Sequence, residues 1–440
     1  MGKLKCNIYA PISEYSYYGD KSRVFIRHLI ETRPDLDIHI VEYQSNKDRN
    51  GYKDEVLHPF VEAAFSDPEV CFYIGHPSLY NDFGSKWNIA FLDSTTIFNE
   101  QDARLFIDKC NQLTAVFVAS NYAKVSLLNL KYMNGEKEVK INVPVIITTE
   151  FSVINELEDP QTTLLGTVPT PKNFLLEGRW DTEDSNVFGG KNKDNIAYIV
   201  TNYLNTFKDI DNAPGLIVNV YGDVPGTIDK KNLETKLNEI KKNTPYTKSL
   251  PKVYLLNGIL SPVQTKALYN DPKIIALIHA PQRTDTVEME LNFMSTGKPI
   301  IFSGFGAQME ILNYDGNVPV NCATKELNVG VEGAGPRLAD IYGDYVKYAL
   351  YEVFYHYDSL KSKATNNSKI FLSTNNRERA IHIFEEAFKY FVPVVKEEEE
   401  KPAEEVKVED VQEIPLIEEV VEKKEEQPIK KTAKKKKEGE

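Results

Sequence analysis

Short apolar runs alternate with amphipathic stretches along most of the chain. The runs at Lys5–Pro11, Val70–Gly75 and Ile274–His279 are dense in apolar residues, as in buried strands. Between such runs, apolar residues recur at helical spacing, for example in RVFIRHLI, which follows Gly19 in a polar turn. Because strands that alternate with helices form parallel sheets with helical crossovers, the pattern predicts an α/β fold.

The alternation occurs in two halves, which a proline-containing stretch separates. Val168-Pro169-Thr170-Pro171 is typical of extended connecting chain, since proline removes a backbone donor. We predict a first Rossmann-like domain at 1–155, a linker at 156–171, a second Rossmann-like domain at 172–335 and closing helices at 336–395. Two doubly wound sheets leave a cleft between them, and ligands bind outside the carboxyl ends of the strands in such sheets.

Local signals add several elements to this outline. Ser261 is a good N-cap for a helix that ends near Asn270. The spacing of apolar residues also predicts a helix at Tyr52–Phe65 and two long closing helices, at Leu338–Tyr357 and Arg377–Phe391.

The composition is that of a globular body with a charged end. The 440 residues carry a formal net charge of -13, and 41% of them are hydrophobic. The acidic balance argues against a general nucleic-acid binder. Residues 396–440 hold 16 acidic and 11 basic residues and little apolar surface, which predicts a disordered, solvated tail. Contact of its closing lysines with an acidic partner is the alternative.

The cysteines and the absence of targeting signals indicate a cytoplasmic protein. No run approaches the roughly 20 apolar residues of a membrane span, and the amino terminus has no signal-peptide core. The four cysteines form no CxxC pair, and Cys6 and Cys71 fall in apolar runs, as expected in a reducing compartment. Histidines and cysteines lack metal-ligand spacing, so we predict no metal site.

The loops of the second half suggest an anion site. A polar loop and a helix follow the strand Ile274–His279, and a helix N-terminus favours negative charge. Backbone N–H groups at Gly304, Gly306 and Ala307 are expected to add to it and to cradle a diphosphate. The third glycine of a dinucleotide fingerprint is missing there, and no P-loop occurs, which counts against a standard NAD enzyme or P-loop NTPase.

Four motifs of the second half occur in a characteristic order. They are a helix capped by Ser261 that ends in Leu268-Tyr269-Asn270, a strand, loop and helix that end in Gly297-Lys298-Pro299, Gly306 followed by Glu310, and an earlier Gly178-Arg179 followed by Lys191 and Lys193. In the first half, Ala10-Pro11-Ile12 and Tyr18-Gly19 complete the pattern. Residues 3–392 thereby resemble the retaining GT-B glycosyltransferases of the group 1 family, with phage and environmental members nearest in pattern.

The resemblance implies a GT-B fold, in which two Rossmann-like domains face a cleft. The first half would bind an acceptor, the second half would bind a nucleotide-diphosphate sugar, and the final helix would return to the first half. The implied activity is that of a hexosyltransferase that retains anomeric configuration and uses the nucleotide sugar as co-substrate, without a cofactor. The acceptor stays open between a glycan, a lipid, a protein and a nucleobase.

The resemblance also assigns roles to matching positions. Arg179 matches the arginine that holds the donor phosphates, and Lys191 or Lys193 matches the accompanying lysine, beyond a long loop. Such cations stabilise a leaving diphosphate, and arginine suits bidentate phosphate contacts. Gly19 matches a glycine that lets backbone approach the reacting centre, and Glu310 matches a position near the nucleotide.

The sequence departs from the family at two glutamates, which are replaced by Thr284 and Asn292. Glu288 lies one helical turn before Asn292 and is expected to reach the same ligand in a catalytic role, with Glu290 nearby. Asn292 can hydrogen-bond a ribose, and Arg283 and Thr284 lie in the loop that faces the expected cleft.

In the first half, Asp93 follows a predicted strand and is the expected polar contact to the acceptor.

The replaced glutamates leave two alternatives open. One is a non-catalytic GT-B-like carbohydrate-binding or assembly protein, in which the charged tail tethers a partner. The other is a different GT-B-like enzyme, such as a sugar-phosphate epimerase.

Overall fold

The computed structural model describes residues 2–43, 51–81, 83–154, 157–158, 163–180, 193–221, 227–258, 260–312 and 315–395. The predicted disordered tail and Lys191 lie outside these described residues. Both halves of the chain belong to one compact unit of residues 1–396. The predicted domain boundaries within this unit stay a prediction.

Parallel strands form a sheet in the first half of the chain. The elements of this half are β1 (Leu4–Ala10), α1 (Tyr17–Thr32), β2 (Leu36–Glu42), β3 (Val70–Ile74), β4 (Trp87–Phe91), α2 (Glu100–Cys110), β5 (Ala115–Val118), α3 (Asn121–Leu128), β6 (Lys131–Asn134), β7 (Lys137–Lys140) and β8 (Val145–Ile147). The sheet has the order β2-β1-β3-β4-β5-β8 with parallel pairing throughout. The strand order reverses beside β1, which is where such sheets bind ligands. A hairpin of β6 and β7 was not predicted.

A second parallel sheet follows. Its half contains β9 (Asn173–Arg179), α4 (Ile196–Phe207), β10 (Gly215–Tyr221), α5 (Thr227–Asn243), β11 (Val253–Asn257), α6 (Pro262–Asn270), β12 (Ile274–His279), α7 (Glu288–Met294), β13 (Ile300–Ser303), α8 (Gln308–Ile311), β14 (Val318–Val320), β15 (Cys322–Glu326), β16 (Arg337–Ile341), α9 (Gly343–Tyr355), α10 (Tyr357–Thr374) and α11 (Arg377–Phe391). The sheet has the order β11-β10-β9-β12-β13-β14, so the strand order reverses beside β9. The structure thus confirms the α/β class and the pair of doubly wound sheets.

The central strands are apolar because helices cover both faces of each sheet. Every residue of β3 and of β12 is buried, as continuous apolar runs in parallel sheets require. Cys6 and Cys71 belong to this buried interior, which confirms their predicted environment. The predicted N-cap Ser261 is also confirmed, because its side chain accepts from the N–H of Gln264 in a capping box.

The final helix, α11, packs on the first sheet rather than on the second. Phe384 of α11 stacks on Phe25 of α1 with ring centroids 4.2 Å apart. Nη1 of Arg33 donates to the carbonyl oxygen of Val392 at 2.9 Å, just beyond the end of α11. The expected return of the closing helix to the first half is confirmed.

One predicted helix is wrong, and another begins too early. In the segment 52–65 only His58–Phe60 is helical, as a single 3-10 turn, and Val61 pairs with Ile40 at the edge of the first sheet. Pro59 lies in this turn and removes a helix donor. The helix predicted at Leu338–Tyr357 is confirmed over Gly343–Tyr355, but the residues before it form β16, which pairs antiparallel with β15.

In the part of the chain that the structure describes, no helix combines the length and the apolar character that crossing a membrane requires.

Candidate functional site

A cavity of about 510 Å³ lies where the carboxyl ends of strands from both sheets meet. Residues that follow β1 and β4 line it from the first sheet. From the second sheet it is lined by residues at the ends of β9, β11 and β12 and by residues of α7. The cavity therefore includes both points at which strand order reverses, which is the position of ligand sites in doubly wound sheets.

Arg179 and Lys193 bring positive charge to the second-sheet side of the cavity. Arg179 ends β9, and its backbone N–H donates to Oδ2 of Asp194 at 2.5 Å. The loop after β12 lies against Lys193, because the N–H of Gln282 donates to the Lys193 carbonyl oxygen at 2.8 Å. Two of the predicted cations thus line the same cavity, and the third, Lys191, falls outside the described residues.

Glu177 places a buried carboxylate beside these cations, on a residue of β9 that lines the cavity. Its Oε1 accepts from Nδ2 of Asn219 at 2.5 Å, and its Oε2 accepts from the Tyr269 hydroxyl at 2.5 Å. Burial raises the pKa of the Glu177 carboxyl, and the two hydrogen bonds oppose that rise. Both oxygens are therefore satisfied inside the protein.

His279 ends β12 and lines the same side of the cavity. Its Nδ1 lies 2.5 Å from Oε1 of Glu290, and Gln308 donates from Nε2 to the same oxygen and to the His279 carbonyl oxygen. Burial lowers the pKa of His279, but the Glu290, Asp194 and Glu177 carboxylates together outweigh burial and the net pKa is raised. The predicted ligand contact Glu290 is thus placed against a histidine, and its side chain is fully buried.

Glu288 belongs to a buried charge cluster that joins the two halves. Oε2 of Glu288 lies 3.8 Å from Nζ of Lys21, which lies 2.8 Å from Oε2 of Glu150. The Tyr17 hydroxyl donates to the other oxygen of Glu150. Burial raises the pKa of the Glu288 carboxyl to about 8, with Lys21 opposing the rise and nearby carboxylates adding to it. A protonated carboxyl at neutral pH therefore lines the cavity at the predicted catalytic position.

Asn292 lines the cavity and also holds the chain that leads out of the first half. Its Oδ1 accepts from Oγ of Ser152 at 2.7 Å and from the N–H of Val153 at 3.2 Å. Its amide nitrogen has no hydrogen-bond partner among the described residues, so that donor is the part of the side chain left for a ligand.

Asp93, the expected acceptor-side contact, lines the cavity from the first sheet. Its Oδ2 accepts from the Tyr18 hydroxyl at 2.8 Å, and its Oδ1 accepts from the N–H and the hydroxyl of Thr95 at 2.9 and 2.6 Å. The loop after β4 is thereby fixed to the start of α1.

Arg283 and Thr284 both line the cavity, and hydrogen bonds within the protein hold both side chains. Nη1 of Arg283 donates to the carbonyl oxygen of Ile97 at 3.0 Å, and Nη2 donates to Oγ of Ser94 at 2.8 Å. The Thr284 hydroxyl donates to the carbonyl oxygen of Thr286 at 2.7 Å. Arg283 therefore connects the second sheet to the first.

The expected anion site at the start of the helix after β12 is not supported. This helix, α7, opens with Glu288 and Glu290, so its first turn carries two acidic side chains. Its N-cap is Val287, which makes no side-chain hydrogen bond. Acidic residues already complement the positive end of the helix, so the cations Arg179 and Lys193 are the better anion partners.

The residues of the glycine loop after β13 are not among those that line the cavity. The N–H of Gly304 donates to the Val320 carbonyl oxygen at 3.0 Å, and that of Ala307 donates to the Thr284 carbonyl oxygen at 3.3 Å. Gly306 has a φ of +75°, and a Cβ there would lie 3.3 Å from the same Thr284 oxygen. The loop is thus packed against the strand-end loop that it follows.

Glu310 also lies outside the cavity lining. Its carboxylate accepts from the N–H groups of Asn121 and Tyr122, at 3.0 and 2.7 Å. It therefore caps the amino end of α3 from the opposite half of the chain, as acidic groups do at helix N-termini.

Gly19 lies inside the first turn of α1, and its predicted position in a polar turn is wrong. Its N–H donates to Oγ of Ser16, the N-cap residue, at 3.1 Å. A Cβ at this position would lie 2.2 Å from the Glu14 carbonyl oxygen. The close approach that requires glycine here is thus made by the protein's own backbone.

Three side chains of the site were not singled out in the sequence. They are Glu177, His279 and Lys21. In the sequence, His279 is the last residue of one apolar run and Glu177 lies inside another. The available signal was a polar residue at the carboxyl end of a buried strand, which is the edge of the sheet where ligands bind.

Two doubly wound sheets whose carboxyl ends meet at one cavity define the GT-B fold, and solved structures share this arrangement. Sucrose-phosphate synthase from Thermosynechococcus elongatus is 8% identical, with a TM-score of 0.58 over 89% of this chain and 99% of that one. HepE from Anabaena, in complex with UDP-glucose, is 12% identical, with a TM-score of 0.57 over 88% and 100%. A UDP-forming α,α-trehalose-phosphate synthase from Burkholderia xenovorans is 10% identical, with a TM-score of 0.56 over 89% and 99%.

These structural neighbours are GT-B glycosyltransferases, and at such identities the likeness shows the fold alone. No protein-family model and no curated protein sequence matches the chain.

Proposed function

We propose that this protein is a glycosyltransferase that moves a hexosyl group from a nucleoside-diphosphate sugar to an acceptor, with retention of anomeric configuration. The observation that carries the proposal is the placement of Arg179 and Lys193 at the carboxyl ends of the second sheet, in the cavity shared with the first. Two cations so placed suit the charge of a leaving diphosphate. The resemblance to phage and environmental members stays a prediction.

The structural neighbours support a uridine nucleotide as the first donor to test. HepE was solved with UDP-glucose, and the trehalose-phosphate synthase is described as UDP-forming. The cavity's volume of about 510 Å³ is within the range of small-ligand sites, roughly 300–1,000 Å³. Donor and acceptor then enter from opposite sheets, and the surrounding protein excludes water from the activated sugar.

Side chains of the second half bind the donor on this proposal, and a side chain of the first half binds the acceptor. Arg179 and Lys193 hold the diphosphate, Asn292 donates to the nucleotide or the sugar, and Asp93 orients the acceptor through its fixed carboxylate. Glu288 presents a carboxyl group that is protonated at neutral pH and therefore donates a hydrogen bond to a bound oxygen. The reaction on this assignment uses the nucleotide sugar as co-substrate.

The test measures whether the full-length protein releases nucleotide from UDP-glucose. GDP-, ADP- and CMP-sugars are tested in parallel, and each donor is combined with acceptor mixtures of glycans, lipids and peptides. Arg179→Ala is expected to lower donor turnover by 100-fold or more, on the order of the loss seen when one group that stabilises developing negative charge is removed. Lys248→Ala is the matched control, because Lys248 is an exposed lysine paired with Asp211 before β10, at the opposite edge of the sheet. Unchanged turnover in Arg179→Ala would contradict the assignment of Arg179.

The alternative, a non-catalytic GT-B-like binding protein, rests on the replaced glutamates at Thr284 and Asn292. It predicts that a nucleotide or a glycan raises the thermal stability of the protein while no donor is consumed. Anomeric analysis of the product by NMR separates retention from inversion once an acceptor is found.

A further inference from the structure

The imidazole of His279, on the cavity wall, has one ring nitrogen that no described residue hydrogen-bonds. Nδ1 of His279 is taken by Glu290, whereas Nε2 has no hydrogen bond to any described residue. The ring lines the cavity and its side chain is 11% exposed. An unpaired polar atom on a mostly buried side chain that lines a cavity is a candidate for contact with a ligand.

The other side of the ring is held in place by a rigid network. Glu290 is fully buried, and its Oε1 accepts from Nδ1 of His279. Nε2 of Gln308 donates to the same Oε1 and, at 2.8 Å, to the His279 carbonyl oxygen, while Oε1 of Gln308 accepts from the N–H of Ser303 at 3.1 Å. Because a carboxylate only accepts hydrogen bonds, Nδ1 carries a proton and the ring orientation is set.

The charges around His279 favour the imidazolium form. Glu290 on α7, Asp194 before α4 and Glu177 on β9 all act on the ring in that direction. Burial opposes the charge but is outweighed, so the net pKa of His279 is raised. Glu177 in turn is hydrogen-bonded by Asn219 and Tyr269. In the charged form both ring nitrogens are donors, so Nε2 presents an N–H to the cavity.

The other two cations line the same cavity, on segments next to His279. Ile278 of β12 pairs with Leu176 of β9, so His279 lies level with Glu177, two residues before Arg179. The chain around Lys193 is tied to the loop after His279, because Gln282 donates to Lys193 and Nδ2 of Asn195 donates to the Ala280 carbonyl oxygen at 2.8 Å.

Asp194 connects the set. Its carboxylate accepts from the N–H of Arg179, and it is one of the charges that act on His279. Three positively charged residues from separate elements therefore line one cavity, and backbone contacts join the segments that carry them.

We propose that His279 is a third phosphate-binding residue, whose Nε2–H donates to the diphosphate, and that Glu290 is the positioning residue that holds the ring for this contact. The inference rests on the proposed function, since it takes the ligand to be a nucleoside diphosphate. An imidazolium that donates to phosphate makes a charge-assisted hydrogen bond, which is stronger than a neutral one. Glu290 acts through His279 and does not touch the ligand.

The test is the affinity of the full-length protein for UDP and for inorganic pyrophosphate, measured by calorimetry between pH 6 and pH 9. His279→Asn keeps a donor near the Nδ1 position for Glu290 and removes Nε2. We expect it to weaken UDP binding about tenfold at pH 6.5, the size of one charged hydrogen bond. His382→Asn is the matched control, because His382 is an exposed histidine on α11.

The pH dependence separates a phosphate contact from a structural role. A raised pKa extends the imidazolium form to higher pH, and the advantage of the wild type over His279→Asn should shrink as the pH rises through that pKa. Glu290→Gln removes the carboxylate that raises this pKa, so the advantage should be lost at lower pH than in the wild type. The ionisation of UDP itself is common to all variants and cancels in these ratios.

Equal UDP affinities of the wild type and His279→Asn at every pH would overturn the inference and leave the proposed function standing. The inference would also be overturned if the wild-type protein bound neither UDP nor pyrophosphate. In that case the proposed function is tested separately, by measuring whether the protein releases nucleotide from the other donors. If His279→Asn does not fold, the inference is tested with His279→Gln and Glu290→Gln instead. A dependence of UDP affinity on pH in Glu290→Gln that matches the wild type would contradict the inference.

Discussion

Nη2 of Arg283 donates to Oγ of Ser94 at 2.8 Å, which joins the loop after β12 to the loop after β4. The contact is continued by Asp285, whose carboxylate accepts from the Ser94 N–H and whose carbonyl oxygen accepts from Oγ of Ser120 at 2.6 Å. Arg283 and Asp285 are both buried. The two halves of the molecule are thus connected by buried polar groups as well as by the covalent chain.

Arg283→Ala should destabilise the protein strongly. The substitution removes two hydrogen bonds between the halves. It also removes the guanidinium charge that opposes the burial-induced rise in the pKa of Asp285, so this buried carboxyl group loses its compensating partner. Breaking a buried pair in this way costs about 3–5 kcal/mol. Urea denaturation followed by circular dichroism measures the loss.

The control for Arg283 is Arg104→Ala, an arginine that is 42% exposed and paired with Glu100 on the surface of α2. It should change the free energy of unfolding by no more than about 1 kcal/mol. A comparable effect of the two variants would show that Arg283 does not hold the halves together.

Gly19→Ala tests whether the glycine in the first turn of α1 is needed for packing. The added Cβ would lie 2.2 Å from the Glu14 carbonyl oxygen, so the backbone has to move. Overpacking of this kind costs roughly 1–3 kcal/mol. Gly166→Ala is the control, because a Cβ there would lie 3.8 Å from Oγ1 of Thr163, an ordinary contact. Equal midpoints of thermal unfolding for the two variants would rule out the steric explanation.

The elements that the sequence predicted well are those whose signals are local. The sequence predicts β12 at its observed bounds because five of its six residues are apolar, and α6 because Ser261 is a good N-cap. The helix predicted at 338–357 begins too early because β16 owes its extended form to pairing with β15, and no local pattern indicates that partner.

The candidate site shows the same limit. Arg179 and Lys193 follow recognisable motifs and do line the cavity. The partners of Glu290 and Glu288 could not be predicted, because His279 and Lys21 reach them only through the tertiary fold. A buried ion pair between two distant segments leaves no periodicity in the chain, so the sequence indicates the edge of the sheet but not the pairing of its charges.

Phe384→Ala should detach the closing helix from the first sheet. Phe384 is fully buried and stacks on Phe25, with Phe72 and Phe117 also within 6.0 Å between ring centroids. Removing a buried phenylalanine costs about 3–5 kcal/mol. Ile370→Ala, at a side chain 66% exposed on α10, should cost less than about 0.5 kcal/mol. Hydrogen exchange should show faster exchange in α11 of the first variant alone, and unchanged protection there would contradict the packing role.

Glu288 makes the stability of the protein depend on pH in the direction opposite to an ordinary carboxylate. Burial raises its pKa to about 8 in the folded protein, against an ordinary value of 4.5. Between these two values the folded state holds a proton that the unfolded state has released. The contribution of Glu288 to stability is therefore complete below pH 4.5 and is lost as the pH rises through 8.

Glu288→Gln replaces the protonated carboxyl by a neutral amide of the same shape and should remove this dependence. The urea midpoint of the wild type, compared with that of the variant, should fall between pH 5 and pH 8. One whole proton corresponds to at most about 1.4 kcal/mol per pH unit. Glu386→Gln, at a glutamate that is 62% exposed, should keep the wild-type profile. Parallel profiles for the wild type and Glu288→Gln would mean that the carboxyl is ionised in the folded protein, and the hydrogen bond that it is proposed to donate in the cavity would then have to be abandoned.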